Sequence, residues 1–466
     1  MRMSDAVDLV ESVLRGGRAP SPRVVDALRA APLPDDPARC TVDDRVRAAA
    51  RILALSRLGQ TAAASALAEA WRDVPLPPPT SGAPAVALLG LGSAVVEAEI
   101  RAGSASSAAV LAERLLANAV DVADPLWLRR CRGLAIAASA LAGDNEAALA
   151  HQAALRDLDD RQGWTADVTE YMADVGDAVL AFAALDLDRL RGVSARLHRL
   201  RERDPQAHGL CQLVDAAVAM LAGEHAKMTA TASRLLQGSP PDATVISRFA
   251  LGLQAFALVR RDEPHRSIGM LRDEEPDDDH LWCPAALRAA AHLRLGDPRS
   301  ALAATTECMR IRPRHNLRTL AGVLLLRGLA HLHLRMTALG RREVGEAFAL
   351  LGDAAPISTW ALLRAVDQRM LLTAAGVVGV APDMLAALTP ATTDPAETAS
   401  FPLLTPRERA VAEHLRLPRT FADIAASLHV APSTVKTQAL SIYRKLRVST
   451  RDDAVGLLEQ TGYFEQ

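Results

Sequence analysis

A phrase that returns about every 40 residues constrains this chain more than any other feature. An apolar helical pattern runs into a Gly beside a small or polar residue, and a second, Ala-rich helical pattern follows. Gly59, Gly103, Gly143, Gly223, Gly296 and Gly340 carry the phrase, and weaker copies without Gly sit at Asp186 and Asp262. A repeat of this length is the mark of stacked helical hairpins. The Gly supplies the left-handed residue that ends one helix and lets the next fold straight back. Small Ala side chains in the returning helix allow close approach. The spacing therefore predicts hairpins over residues 40–350 with a turn at each of these positions. An irregular helical bundle is the competing architecture.

Composition agrees with an all-α chain. Of 466 residues, 50% are hydrophobic and 23% charged, which supplies a core and excludes a disordered polymer. Only 3% are aromatic, too few for an extensive β-structure, whereas Ala, Leu and Arg favour helix. The repeat pattern resembles the tetratricopeptide superfamily in the long, degenerate form of bacterial regulators, with most aromatic signature positions missing. Five cysteines, Cys40, Cys131, Cys211, Cys283 and Cys308, lie far apart, odd in number and without a CxxC pair. Neither a disulfide framework nor a zinc site is suggested, and reduced, mostly buried thiols are expected. The N-terminus lacks a signal-peptide core, and no uninterrupted apolar run reaches membrane-span length. The expectation is a soluble, cytoplasmic protein with no membrane partner.

Proline marks the joints. Pro-containing breaks at 31–37 and 75–82 interrupt the helical pattern. The acidic run Asp273 to His280 lacks the Gly and terminal Glu of a calcium loop and reads as a solvated loop. From residue 389 to 402 the chain is small, polar and Pro-containing, a flexible linker. The domain reading is therefore a helical-repeat effector or protein-interaction domain over 1–388, a linker over 389–402, and a separate domain over 403–466.

That last domain opens with a capping box, Thr405-Pro406-Arg407-Glu408, on a helix running to about Leu415. Thr420 to Asp423 repeats the capping pattern on a second helix. A turn at 429–431 leads to a third helix from Pro432 to Leu446. The ten-residue step from Ala425 to Val435 is the spacing of a helix-turn-helix, in which a small residue lets the third helix cross. On a helical wheel Val435, Ala439, Ile442 and Leu446 share one side, and Ser433, Thr437, Leu440 and Arg444 face away, flanked by Thr434 and Lys436. Over 405–451 nine basic residues stand against three acidic ones, in a chain of net charge −2. A local patch of that kind is what phosphate neutralisation requires.

These strings in order, with Ile424-Ala425-Ala426-Ser427-Leu428, Ser433-Thr434-Val435-Lys436-Thr437 and Ile442-Tyr443-Arg444-Lys445-Leu446, resemble the LuxR-type DNA-binding domain over about 60 residues. The resemblance implies four helices, the third in the major groove of double-stranded DNA and the fourth aiding a homodimer. It implies base or phosphate contacts from Lys436, Thr437 and Leu440, the last only apolar, as with a thymine methyl. It implies phosphate contact from Thr434, with Ser433 on the same face and Arg444 and Lys445 on the backbone. Ala431 stands where the family usually caps the third helix with Ser, a loss of about 1 kcal/mol. Gln438 stands where a His is usual.

The remainder resembles no receiver, which would need alternating strands and helices, and no aromatic-rich acyl-homoserine-lactone sensor. No Gly-x-x-x-x-Gly-Lys-Ser/Thr loop is present, so the closest likeness is to the large ATP-dependent LuxR regulators without their ATPase. No catalytic constellation, cofactor motif or metal site stands out: His331 and His333 fall on different helix faces, and His208 and His292 are isolated. Trp127, Trp164, Trp282, Trp360 and Tyr171 are expected in the core. Arg310, Arg312, Arg314 and Arg318 form a face open to solvent or to an anion. The reading is a sequence-specific transcription regulator, not an enzyme, whose array senses a small-molecule, peptide or protein effector on its concave surface. The competing readings are an interaction scaffold with a vestigial helix-turn-helix tail, and an unrecognised enzyme or ligand carrier.

Overall fold

A computed structural model describes residues 3–14, 22–74, 83–122, 124–164, 171–184, 186–201, 207–238, 244–275, 278–352, 357–388, 405–417, 419–446, 448 and 450–460. Every regular element among them is helical, and no strand occurs among the described residues. No helix there is long and apolar enough to cross a membrane. Contacts divide the chain into two units, Met1–Ala386 and Ala387–Gln466. The proposed linker at 389–402 and the Pro-rich break at 75–82 lie outside the described residues.

In the first unit consecutive helices pack on one another, and the first helices of successive hairpins also pack together. Val42–Arg57, Ala83–Ala102, Pro125–Ala142 and Tyr171–Ala183 stack in succession, and Thr61–Trp71, Ala105–Val122 and Asn145–Gln162 pack beside them as returning helices. This is the contact pattern of stacked hairpins. Small side chains permit it: Ala48, Ala49, Ala87, Ala94, Ala135 and Ala138 are fully buried between helices. The array also meets itself, because Thr244–Arg260 touches Ala83–Ala102, and Asn316 Nδ2 donates to the Leu141 carbonyl at 3.0 Å.

The turns show why the repeat phrase works. Gly143 has φ +94°, and the N–H groups of Gly143 and Asp144 donate to the Ser139 carbonyl at 3.1 and 2.9 Å. Asp144 then caps the returning helix by accepting from the Ala147 N–H at 3.0 Å. A side chain at 143 would be misplaced twice, by the positive φ and by an Arg318 backbone nitrogen only 2.9 Å from its Cβ. Asp262, at φ +57°, makes the turn of a copy that lacks Gly.

One turn is elsewhere than expected. Gly340 lies inside the helix Thr337–Leu351, and the reversal is made by Arg335 at φ +62°. Gly340 answers to a different need. A Cβ there would stand 2.9 Å from the Gly328 carbonyl oxygen and 2.8 Å from Leu332 Cγ, so the two helices meet backbone to backbone.

A buried ion cluster ties three helices of the first unit. Glu97 is fully buried and pairs with Arg101 at 2.9 Å and with Arg130. Burial by itself would raise its pKa, but the guanidiniums of Arg101, Arg130 and Arg57 outweigh it and hold the carboxyl at about 2. Asp273 and Glu275 of the acidic run are exposed, as a solvated loop requires, but its far end is bound. Asp278 pairs with Arg314 at 2.5 Å, and Asp279 accepts from Ser106 N–H at 2.6 Å and Oγ at 2.7 Å.

Candidate functional site

Among its described residues the second unit contains four complete helices, Pro406–Leu415, Phe421–Ser427, Pro432–Leu446 and Arg451–Gln460. Both capping boxes close. Glu408 N–H donates to Thr405 Oγ1 at 3.2 Å and Thr405 N–H to Glu408 Oε2 at 2.6 Å, and Thr420 and Asp423 exchange the same pair of bonds. Glu408 does more than cap. Its Oε1 accepts from Ser441 Oγ at 2.7 Å, which fixes the first helix against the third. Val411, Ala412, Leu415, Ile424, Ala425, Val435, Ile442 and Ala454 form the core, with Ala425 buried where the third helix crosses the second. His429, at φ +55°, makes the turn between them.

The third helix is divided as its wheel predicts. Val435, Ala439 and Ile442 are fully buried. Ser433, Thr434, Lys436, Thr437 and Leu440 are exposed, Leu440 to 57%. A leucine so exposed contributes little to its own fold and offers an apolar surface between polar neighbours. Thr437 Oγ1 donates to the Ser433 carbonyl at 2.9 Å and can still accept a bond from outside. The side chains of Arg444, Lys445 and Leu446 lie outside the described residues. The structure thus brings five of the seven sequence-predicted contact residues onto one exposed face.

Comparison with known proteins agrees with that geometry. Residues 402–458 match the family model described as bacterial regulatory proteins, luxR family. The C-terminal unit contains a LuxR-family helix-turn-helix domain. The chain is also 48% identical over 54 residues to a probable transcriptional regulatory protein NarL of Mycobacterium tuberculosis, both in strain CDC 1551 / Oshkosh and in strain ATCC 25618 / H37Rv. The match covers 12% of this chain and 25% of each relative, so the chain spans about a quarter of the length of the curated relatives it matches.

Within the LuxR-family domain, charge is used in two ways. Arg451 counts toward the basic patch in sequence, but its Nε donates to the Leu415 carbonyl at 2.9 Å, its Nη1 to that of Arg419 at 2.6 Å, and its Nη2 to that of Leu417. It caps the end of the first helix and is thereby held away from free exchange with phosphate. Lys436 stands exposed on the outer face.

The first unit holds a second candidate site. A cavity of about 800 Å³ opens among its hairpins, walled mainly by apolar side chains including Tyr171, Phe182, Leu213, Val245 and Phe249. Arg57, Arg101, Arg234 and Arg318 also line it, with His208. Arg101 lies over the Tyr171 ring, 5.8 Å from its centroid, and pairs with Glu97 behind it. Desolvation lowers the Arg318 pKa to about 10, and among the described residues no ion pair neutralises it. It remains a cation at neutral pH, aimed at a mostly apolar space.

The other singled-out residues separate. Arg310, Arg312 and Arg314 pair with Glu307, Glu346 and Asp278, which leaves Arg318 alone of that run in the cavity wall. His331 and His333 have different partners, Glu343 at 2.6 Å and Asp367 at 2.7 Å. Trp127 and Trp360 are core, Trp164 lies under Arg129, and Tyr171 lines the cavity. Sequence spacing missed one grouping: His280, Cys283, Cys308 and His315 converge in the first unit, each offering a ligand atom within 4.8 Å of the others. The expectation of no metal pattern rested on a search for CxxC, whereas each arm here is one His and one Cys.

Proposed function

We propose that this protein is a cytoplasmic, homodimeric, sequence-specific transcription regulator. In this reading the helix Pro432–Leu446 enters the major groove with Ser433 on its outer face, Thr437 and Leu440 toward the bases, and Thr434, Lys436, Arg444 and Lys445 toward the phosphates. The observation that carries the reading is the exposed row on that helix, polar residues around one bare leucine, on the opposite side from a closed core. The helix Arg451–Gln460 is the expected dimer contact.

The helical-repeat unit, tetratricopeptide-like in this reading, is the sensor. The cavity is of the size that takes a small organic effector. Its mainly apolar wall and the unneutralised Arg318 favour an amphipathic anion, such as a medium-chain carboxylate. An effector controls DNA binding only by binding one state of the protein more tightly than another.

The test is a titration of promoter fragments with the full-length protein at several salt concentrations. Binding to a shared sequence is expected. Lys436→Ala should weaken binding to every sequence and reduce the log–log salt slope by about one unit. Leu440→Ala should change the preferred base at one position. Absence of any sequence preference at low salt would sink the regulator reading and leave a scaffold with a vestigial tail.

A further inference from the structure

The His280, Cys283, Cys308 and His315 grouping lies in two segments of the first unit. His280 and Cys283 lead into the helix Pro284–Arg294. Cys308 sits in the short helix Thr306–Arg310, and His315 precedes the helix Leu317–His333. All four are more than nine-tenths buried, at 6%, 6%, 0% and 5% exposure. Such a concentration of polar side chains in an apolar interior needs a use.

Distance and tautomer point to that use. The Cys283 and Cys308 sulfurs are 3.5 Å apart. A disulfide would bring them to about 2.05 Å. Two thiolates on one tetrahedral zinc, at about 2.3 Å from the ion, stand about 3.8 Å apart. His315 Nδ1 lies 3.0 Å from the Asn316 carbonyl, which can only accept, so Nδ1 carries the proton. His315 Nε2 is then a lone-pair donor, buried in the same grouping as the two sulfurs. A backbone carbonyl on the far nitrogen is how ligand histidines are oriented. Cys283 Sγ already accepts from the Ala286 N–H at 3.3 Å, which orients the sulfur at the start of its helix.

We propose that His280, Cys283, Cys308 and His315 bind one zinc ion in a closed, tetrahedral, structural site. Two sulfurs and two imidazoles select zinc over the hard, oxygen-seeking divalent ions. Four protein donors leave no open position for substrate, so the ion's part is to hold the fold. The surroundings define what it would hold. Asp279 N–H donates to the Arg314 carbonyl at 2.7 Å and Thr319 Oγ1 to the His280 carbonyl at 3.1 Å, so the two segments already run together. The same stretch reaches Leu141 through Asn316 and Ser106 through Asp279. An ion there locks the segment that carries Arg318 into the cavity wall.

The experiment uses the full-length protein, purified under reducing conditions without added metal and analysed for metal by mass spectrometry. One zinc per chain is expected. After chelation, added Co²⁺ should give the intense visible bands of tetrahedral cobalt and a sulfur-to-cobalt charge-transfer band, both displaced by Zn²⁺. Cys283→Ser and Cys308→Ser should each weaken the charge-transfer band and the affinity for Co²⁺, and His315→Ala should lower that affinity at least tenfold with the sulfur band retained. Cys211→Ser, buried in another part of the unit, should leave the spectrum unchanged. The spectrum of the unaltered chain carries the test even where a variant folds poorly. Substoichiometric zinc with a weak, octahedral cobalt spectrum would overturn the proposal. So would a Cys283–Cys308 disulfide in protein that takes up no metal after reduction.

Discussion

The two units solve the same packing problem with different materials. The helix-turn-helix unit is small, and its order is local: two capping boxes, a turn at His429 and a core of eight buried side chains. The helical array is large, and its distant parts share an apolar cluster from Ala6 to Leu281 to which polar contacts are added. Glu97 pairs with Arg101 of its own helix and with Arg130 of another, Asn316 reaches Leu141, and Asp279 reaches Ser106. A repeated Ala-rich interface is self-similar and by itself specifies register weakly, whereas a buried ion or amide has one set of partners. The array should therefore be hurt most where a polar clasp is broken, and the tail should respond in small, nearly additive steps.

The sharpest attempt to break that contrast is Glu97→Ala. It leaves buried arginines without their carboxylate and is expected to cost about 3–5 kcal/mol. Urea unfolding followed by circular dichroism reads it, and a change under 1 kcal/mol would refute the clasp. The same residue predicts an acid limb. Its folded pKa of about 2 lies below its ordinary 4.5, so its stabilisation is complete above 4.5 and is lost as pH falls from 4.5 toward 2. The loss amounts to about 3 kcal/mol, taking 1.36 kcal/mol per unit. Urea midpoints across that range should flatten in Glu97→Gln.

Gly143→Ala comes next, at about 2 kcal/mol, because positive φ and the Arg318 backbone oppose it together. Gly163→Ala, also at positive φ but with open space around it, should cost about 1 kcal/mol. Equal values would show that the close approach at 143 carries no strain. On the tail, Thr405→Ala and Thr420→Ala should each cost about 1 kcal/mol and add within error in the double variant. Arg318→Met should have the opposite sign, raising stability by about 1 kcal/mol through loss of a desolvated charge, while abolishing fluorescence-detected binding of a medium-chain carboxylate. Unchanged carboxylate binding would remove Arg318 from the sensor.

What was legible in sequence follows the same division. Thr405, Glu408, Thr420 and Asp423 declare themselves because each capping box is contained within four residues. The exposed face of the third helix was legible because one helical period decides it. The capping role of Arg451 was not legible because its carbonyl partners lie more than 30 residues away. Gly340 was misplaced because a Gly needed for helix contact and a Gly needed for a turn look alike in a string. The cavity could not be read at all: Ser56, Leu141, Phe249 and Arg318 meet only because hairpins stack. The His and Cys arms at 280–283 and 308–315 escaped for a simpler reason, that each pairs one His with one Cys and so contains no CxxC.

The cavity's wall has one more consequence. It draws on segments from Ser56 to Arg318, so its width is a sum of many hairpin-to-hairpin steps. A slight change in the pitch of each step, too small to notice between neighbours, accumulates across the opening as error does along a stack of gauge blocks. The clasp from Asn316 to Leu141 holds that stack at a set length. A molecule wedged into the cavity would press on several hairpins at once, from the one that holds Ser56 to the one that holds Arg318.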